Sequence, residues 1–229
     1  GAAGAATSAA LVDDGGMPAF GAELYVLPAL LYLRPMAAKA LIESRHGELE
    51  TARARAEATG LDGASFRFQL PQTLISPASA YSGPGGFLFA TAMVAVAAFD
   101  YFKVSQDSRW LASKGYDIIA GVCDHVASVV EASGTGRLGD TLDINGALVR
   151  DPSLAVQTCR LALCAGIEAG YYLRAYVPES WVRAWASVSH TFIRIPDPFG
   201  YSPSGTVDIL AYGADYQAPP AAPAPPPPP

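Results

Sequence analysis

A chain of 229 residues that is 51% hydrophobic and only 16% charged, with a net charge of −6, can bury a large core. It is poor in the basic clusters that phosphate recognition needs, which excludes nucleic-acid and anionic-membrane binding by electrostatics. Alanine is unusually frequent, at about 18% of the residues, and the low charge with half the chain apolar excludes disorder for most of it.

In chain order, residues 1–16 are small and polar without apolar periodicity and read as a flexible arm. No Met and no basic stretch opens the chain, so no signal peptide is visible; the compartment is unknown, and the chain reads as a fragment or a processed product. Glu23–Arg34 is apolar with Pro28 inside it, which predicts a helix kinked or split near Leu27. Pro35 is placed to open the next helix, Met36–Thr59, closed by Gly60. Phe87–Val104 is apolar nearly all round and reads as a buried inner helix. Ser108–Ala132 follows with Ile118, Ile119, Val122, Val126 and Val129 on one face. Asp151 as cap and Pro152 at a first helical position open Ser153–Tyr176, and Pro178 opens a last helix to about His190. The apolar stretches Leu24–Leu33 and Phe87–Phe99 fall short of a bilayer span.

Three helix pairs are therefore expected, separated by two irregular segments, Leu61–Gly86 and Gly134–Asp151. Buried inner helices alternating with amphipathic outer ones predict an all-α toroid or layered array of helical hairpins over residues 17–216. Residues 217–229 are almost pure Pro and Ala and read as an extended, solvated tail.

Little in the residues points to chemistry directly. His46, His125 and His190 stand far apart, no Cys-x-x-Cys is present, and no phosphate-cradling glycine loop follows a strand, so no metal and no cofactor are expected. Cys123, Cys159 and Cys164 are too few for a disulfide framework and read as buried thiols or as a sign of a reducing compartment. His125 reads as a surface or half-buried side chain. The carboxylates Asp140 and Asp143 lie in one loop, where they either cap turns or face another carboxylate across a cleft, as the acid and base of an inverting glycosidase do.

Longer segments are more specific. Phe20-Gly21-Ala22-Glu23-Leu24-Tyr25-Val26-Leu27-Pro28 resembles the Phe-Trp-Asp-Thr-Glu-x-Trp-Met-Leu-Pro stretch of glycoside hydrolase family 65. In the same order, Arg34–Arg45 is similar to that family's His-Pro-Glu-x-Ala-Arg-Ala-x-Leu-Glu-Tyr-Arg, and Ala64-Ser65-Phe66-Arg67-Phe68-Gln69 to its Ala-x-Phe-x-Trp-Glu. Phe99–Asp107 and Gly200-Tyr201 continue the likeness, which runs from about Met17 to Tyr216.

The resemblance implies a partial (α/α)6 toroid of about three hairpins and inverting hydrolysis or phosphorolysis of an α-glucosyl disaccharide or glucosylated glycan. Within the family the chain resembles the group of acid trehalases, maltose phosphorylases and glucosylgalactosyl-hydroxylysine glucosidases. It implies substrate binding by Phe20, Glu23, Tyr25, Phe68 and Gln69, and a general acid approximately at Asp143. The family's Trp-Asp falls on Phe20-Gly21, its Trp-Glu on Phe68-Gln69, and its later Lys-Gln on Asp208-Ile209, so rings persist where charges are lost. An incomplete or catalytically impaired member is therefore expected, with a non-catalytic carbohydrate-binding or scaffold protein as the alternative. The apolar inner helices of such a partial barrel are expected to be covered by self-association or by the missing barrel half.

Overall fold

The computed structural model describes residues 22–67, 86–135, 137–143 and 147–173, with two further strands at 194–196 and 206–208. The chain divides into two compact units, Gly1–Phe192 and Ile193–Pro229. The second contributes a short antiparallel ladder of β3 (Arg194–Pro196) and β4 (Thr206–Asp208), in which Arg194 stands opposite Asp208. The expected arm, the Pro/Ala tail and the helix ending near His190 lie outside the described residues.

The first unit is built from helical pairs. A π-helical turn, Ala22–Val26, runs into α1 (Leu27–Leu33), so the split expected at Pro28 is present, with proline at the start of the α-helix where its missing N–H costs nothing. A single residue, Arg34, links α1 to α2 (Pro35–Gly47). The expected continuation of α2 to Thr59 is interrupted: Gly47, a weak helix former, ends it, and α3 (Leu49–Glu57) starts after Glu48. Gly60 then closes α3 with φ +73°, the Gly60 N–H donating to Glu57 O and the Leu61 N–H to Ala56 O.

The second pair is α4 (Leu88–Ser105) and α5 (Tyr116–Ser133). The run from Ser108 is helical as expected but passes through a π-helical turn at Leu111–Gly115. There the Trp110 indole lies over Gly115, where a Cβ would come within 2.5 Å of the ring. α6 (Ser153–Tyr172) follows and packs against both α4 and α5.

α4 is the centre of the unit. It is buried on nearly every side, from Leu88 to Phe102, and packs most extensively against α6 and then α5, with α1 and α2 beside it. The packed face of α6 is made of small side chains, Ala155, Ala162, Ala165, Gly166, Ala169 and Gly170, which let the two backbones approach closely. Cys123 and Cys159 belong to this core and are free thiols, whereas Cys164 is free and exposed. Eighteen residues long, α4 is long and apolar enough to cross a membrane by length and composition, contrary to the expectation that its apolar run falls short. Yet 72% of that window is buried inside the fold, and a core helix meets the same criterion.

Ion pairs order the outer layer. Lys39–Asp107 at 3.0 Å, Glu43–Lys114 at 3.0 Å and His46–Asp117 at 3.8 Å advance together in number, so α2 runs parallel to the chain that enters α5. These part-exposed pairs add little energy each, but they fix the relative direction of the outer helices.

The segment Gly134–Asp151, expected to be irregular, holds a β-hairpin of β1 (Asp140–Leu142) and β2 (Leu148–Arg150). Asp151 does not cap α6 as expected. At φ +48° it closes the base of the hairpin, its Oδ1 accepting the Gly139 N–H at 3.0 Å and its own N–H donating to Gly139 O. Pro152, extended at ψ 135°, takes the capping position instead.

Two glycines at similar φ separate conformational strain from crowding. Gly60 faces open space, whereas a Cβ on Gly63 would lie 2.2 Å from His125 N and 2.3 Å from Gly121 O. Gly60→Ala is expected to cost about 1 kcal/mol, and Gly63→Ala about 3 kcal/mol, because the second must also displace backbone. Urea unfolding of the two variants checks this; equal losses would contradict the close approach.

Candidate functional site at the helix N-termini

Three stretches far apart in sequence meet at the N-terminal end of α4. The carbonyl of Gly86, two residues before the helix, accepts the Leu142 N–H at 2.9 Å, which places the β1–β2 hairpin there. Thr91, in the first turns of α4, exchanges two bonds with Phe66: its Oγ1 accepts the Phe66 N–H at 3.1 Å and donates to Phe66 O at 3.0 Å. That brings in the segment carrying Phe68 and Gln69. The π-helical turn at Ala22–Val26 packs against α4 as well and is tied to the C-terminal end of α2 by Glu23 and Arg45.

The segment of residues 61–67 is clipped down along its length. Asp62 N–H donates to Ser128 Oγ at 3.0 Å, Ala64 N–H to Gly121 O at 2.7 Å, and Ser65 N–H to Ala52 O at 3.0 Å. The Arg55 guanidinium donates to Ser65 O. His125 Nδ1 lies 3.1 Å from Asp62 O. A carbonyl oxygen only accepts, so Nδ1 carries the proton. The expectation of a surface or half-buried His125 is corrected: it is 3% exposed, on the face of α5 that this segment covers.

Glu23 is also an interior residue. Its side chain is 1% exposed, and its Oε1 accepts from Arg45 Nε at 2.6 Å, while Arg45 Nη1 donates to Glu48 Oε2 at 3.1 Å. Burial raises the pKa of Glu23, against the opposing pull of the Arg45 charge and hydrogen bond. Burial would lower Arg45, but Glu23 and then Glu48 more than offset it, and its pKa is raised. The pair thus joins the first turn of an inner helix to the bend between α2 and α3.

The other residues singled out in the sequence fall as follows. Tyr25 is 72% exposed on the same π-helical turn. Asp143 sits in the hairpin turn, where its N–H donates to Ala147 O and its Oδ1 accepts the Ala147 N–H, both at 2.8 Å. Asp140 pairs with Arg150 across the ladder at 3.2 Å. Phe20, Phe68 and Gln69 lie outside the described residues. Sequence reasoning missed Thr91, Arg45 and the hairpin; Asn145-Gly146 between β-prone residues was the available signal for the last.

Helical hairpins packed around a buried inner helix, with loops and a β-hairpin gathered at its N-terminal end, define an α/α-toroid domain. Residues 15–141 match the glycosyl hydrolase family 65 central catalytic domain, and the chain belongs to that family. Its architecture is accordingly all-α, made of toroid hairpins. The chain is 40% identical over 117 residues to a kojibiose hydrolase of Mucilaginibacter mallensis, covering 50% of this chain and 17% of that protein. It is 34% identical over 116 residues to a kojibiose hydrolase of Flavobacterium johnsoniae, with the same coverage. A kojibiose phosphorylase of Thermoanaerobacter brockii is 27% identical over 109 residues, 42% of this chain and 14% of that protein. The chain thus spans about one sixth of the length of the curated relatives it matches. The family match ends two residues before Asp143, so the resemblance at Asp143, Gly200-Tyr201 and Asp208-Ile209 lies beyond it.

Two measurements follow from these geometries. Arg45→Met leaves Glu23 buried without its partner and should cost about 3–5 kcal/mol, whereas Arg53→Met, which breaks an exposed pair with Glu50, should cost under about 1 kcal/mol. Similar losses in urea unfolding would mean that the Glu23–Arg45 pair is not buried. Burial also lowers the pKa of His125, with the Asp62 carbonyl opposing it. The unfolded chain therefore takes the proton first, near pH 6.5, so this stability is complete above that pH and is lost as pH falls toward the folded value. Tm should drop as pH falls below about 6.5 in the native protein and drop less in His125→Asn.

Proposed function

We propose that this chain forms part of the sugar-binding rim of a family 65 toroid that acts on an α-glucosyl disaccharide of the kojibiose type, and that the chain by itself binds sugar without cleaving it. The observation that carries this reading is the convergence of residues 61–67, Gly86 and the β1–β2 hairpin at the N-terminal end of α4, with the Glu23 turn packed against the same helix.

In this reading the exposed ring of Tyr25, with Phe20 and Phe68, stacks on the apolar face of a glucosyl unit, and Gln69 supplies a hydrogen bond. Glu23 serves the groove by holding its turn through Arg45. Inverting cleavage needs a protonated acid at the glycosidic oxygen and a base or phosphate delivering the nucleophile from the opposite face. Asp143 is the candidate acid. Its Oδ1 already accepts the Ala147 amide, and it is one methylene shorter than the family Glu; a displacement of about 1 Å can cost on the order of 100-fold in rate. These features favour a catalytically impaired chain over an active one. They also support the second reading, a non-catalytic carbohydrate-binding or scaffold protein.

Calorimetric titration with kojibiose, and assay of glucose and glucose 1-phosphate with and without phosphate, test the proposal. Binding weakened severalfold by Tyr25→Ala, with no product formed, is expected. Glucose release abolished by Asp143→Asn would overturn the impaired reading, and absence of kojibiose binding would overturn the sugar-binding one.

A further inference from the structure

We propose that His125 is a positioning residue: its neutral imidazole, donating from Nδ1, latches residues 61–67 onto α5 and fixes the end of the segment from which Phe68 and Gln69 continue. Three successive residues of the segment meet one stripe of the helix. Asp62 meets His125 and Ser128, Gly63 lies against the His125 backbone, and Ala64 bonds Gly121. Gly121, His125 and Ser128 stand at i, i+4 and i+7, which is one face of a helix.

Each contact has its own requirement. Gly63, at φ +77°, is pressed so close that a Cβ would lie 2.2 Å from His125 N. Gly121 gives room on the other side, since a Cβ there would lie 3.1 Å from Ala64 Cβ. With the backbones in contact, the side chain of residue 125 is the group on α5 that reaches the Asp62 carbonyl, and His125 supplies an N–H for it at 3.1 Å. A hydroxyl in place of the imidazole, as at Ser128, serves the other polar group of the same residue, the Asp62 N–H. The C-terminal half of the segment is held separately, by the double bond of Phe66 with Thr91 on α4. The segment is thus pinned at one end to α5 and at the other to α4, immediately before residues 68 and 69. The link from the latch to sugar rests on the proposed function; the latch itself does not.

The test compares the native protein with His125→Leu, which removes the donor, and His125→Asn, whose side-chain amide can place an N–H near the Nδ1 position. Amide hydrogen exchange at Asp62, Ala64, Ser65 and Phe66 should be about tenfold faster in His125→Leu and near native in His125→Asn, while the α4 and α6 amides keep their rates. Faster exchange spread evenly over the whole chain, or none at the segment, overturns the latch. If His125→Leu does not fold, the nitrogen shifts of the native imidazole decide: a neutral ring protonated on Nδ1 supports the latch, and a ring protonated on Nε2 overturns it. Kojibiose affinity should fall with His125→Leu and return with His125→Asn. Segment exchange that changes while affinity does not overturns the positioning role, whereas a native chain that binds no kojibiose overturns the proposed function and leaves the exchange result to decide the latch.

Discussion

The rest of the structure depends on one constraint: α4 is enclosed on nearly every side from Leu88 to Phe99, and only its C-terminal end, at Asp100 and Lys103–Ser105, meets solvent. A helix apolar on every side can exist in water only if other elements enclose it, and each of its neighbours is shaped by that demand. α6 meets it with a stripe of alanine and glycine, α5 with a row of Ile and Val, and the loops cross its N-terminal end rather than its flanks. Enclosing a single inner helix in this way is what arranges hairpins around an axis. The toroid is the consequence of burying α4, repeated by the inner helices on either side.

Polar groups gather where the apolar demand stops. At the start of α4 the backbone of the surrounding loops still needs hydrogen-bond partners, and these come from Thr91, Gly86, Gly121, Ser128 and His125. Glu23 and Arg45 are two opposite charges buried together and held by direct hydrogen bonds. The segment 61–67 is held by several such bonds and by the close approach of Gly63 to the His125 backbone.

Much of this was legible before any coordinates. The helix pairs follow from period and punctuation: Pro28 splits the first inner helix, Gly60 closes α3, and the unbroken apolar run after Phe87 marks the core helix. The π-helical turn at Leu111–Gly115 was not, since it depends on the packing of Trp110 over Gly115, and a single glycine such as Gly47 does not by itself show that a helix breaks there. The β1–β2 hairpin was hidden because it is only three residues long on each side and is held by Gly86 and Gly139 as much as by its own ladder. His125 was misplaced for a related reason: beside Asp124 it looks like a surface residue, and only the segment laid over it makes it interior.

The sequence by itself determined the family, the all-α class and the inner helix around which the unit is built, because hydrophobic period and segment likeness are local properties of the chain. Only the tertiary structure decided what the charged and polar candidates do. Glu23 is committed to Arg45, Asp143 holds a turn, and Asp151 closes a hairpin, since a carboxylate's role is set by the partner brought to it from elsewhere in the fold.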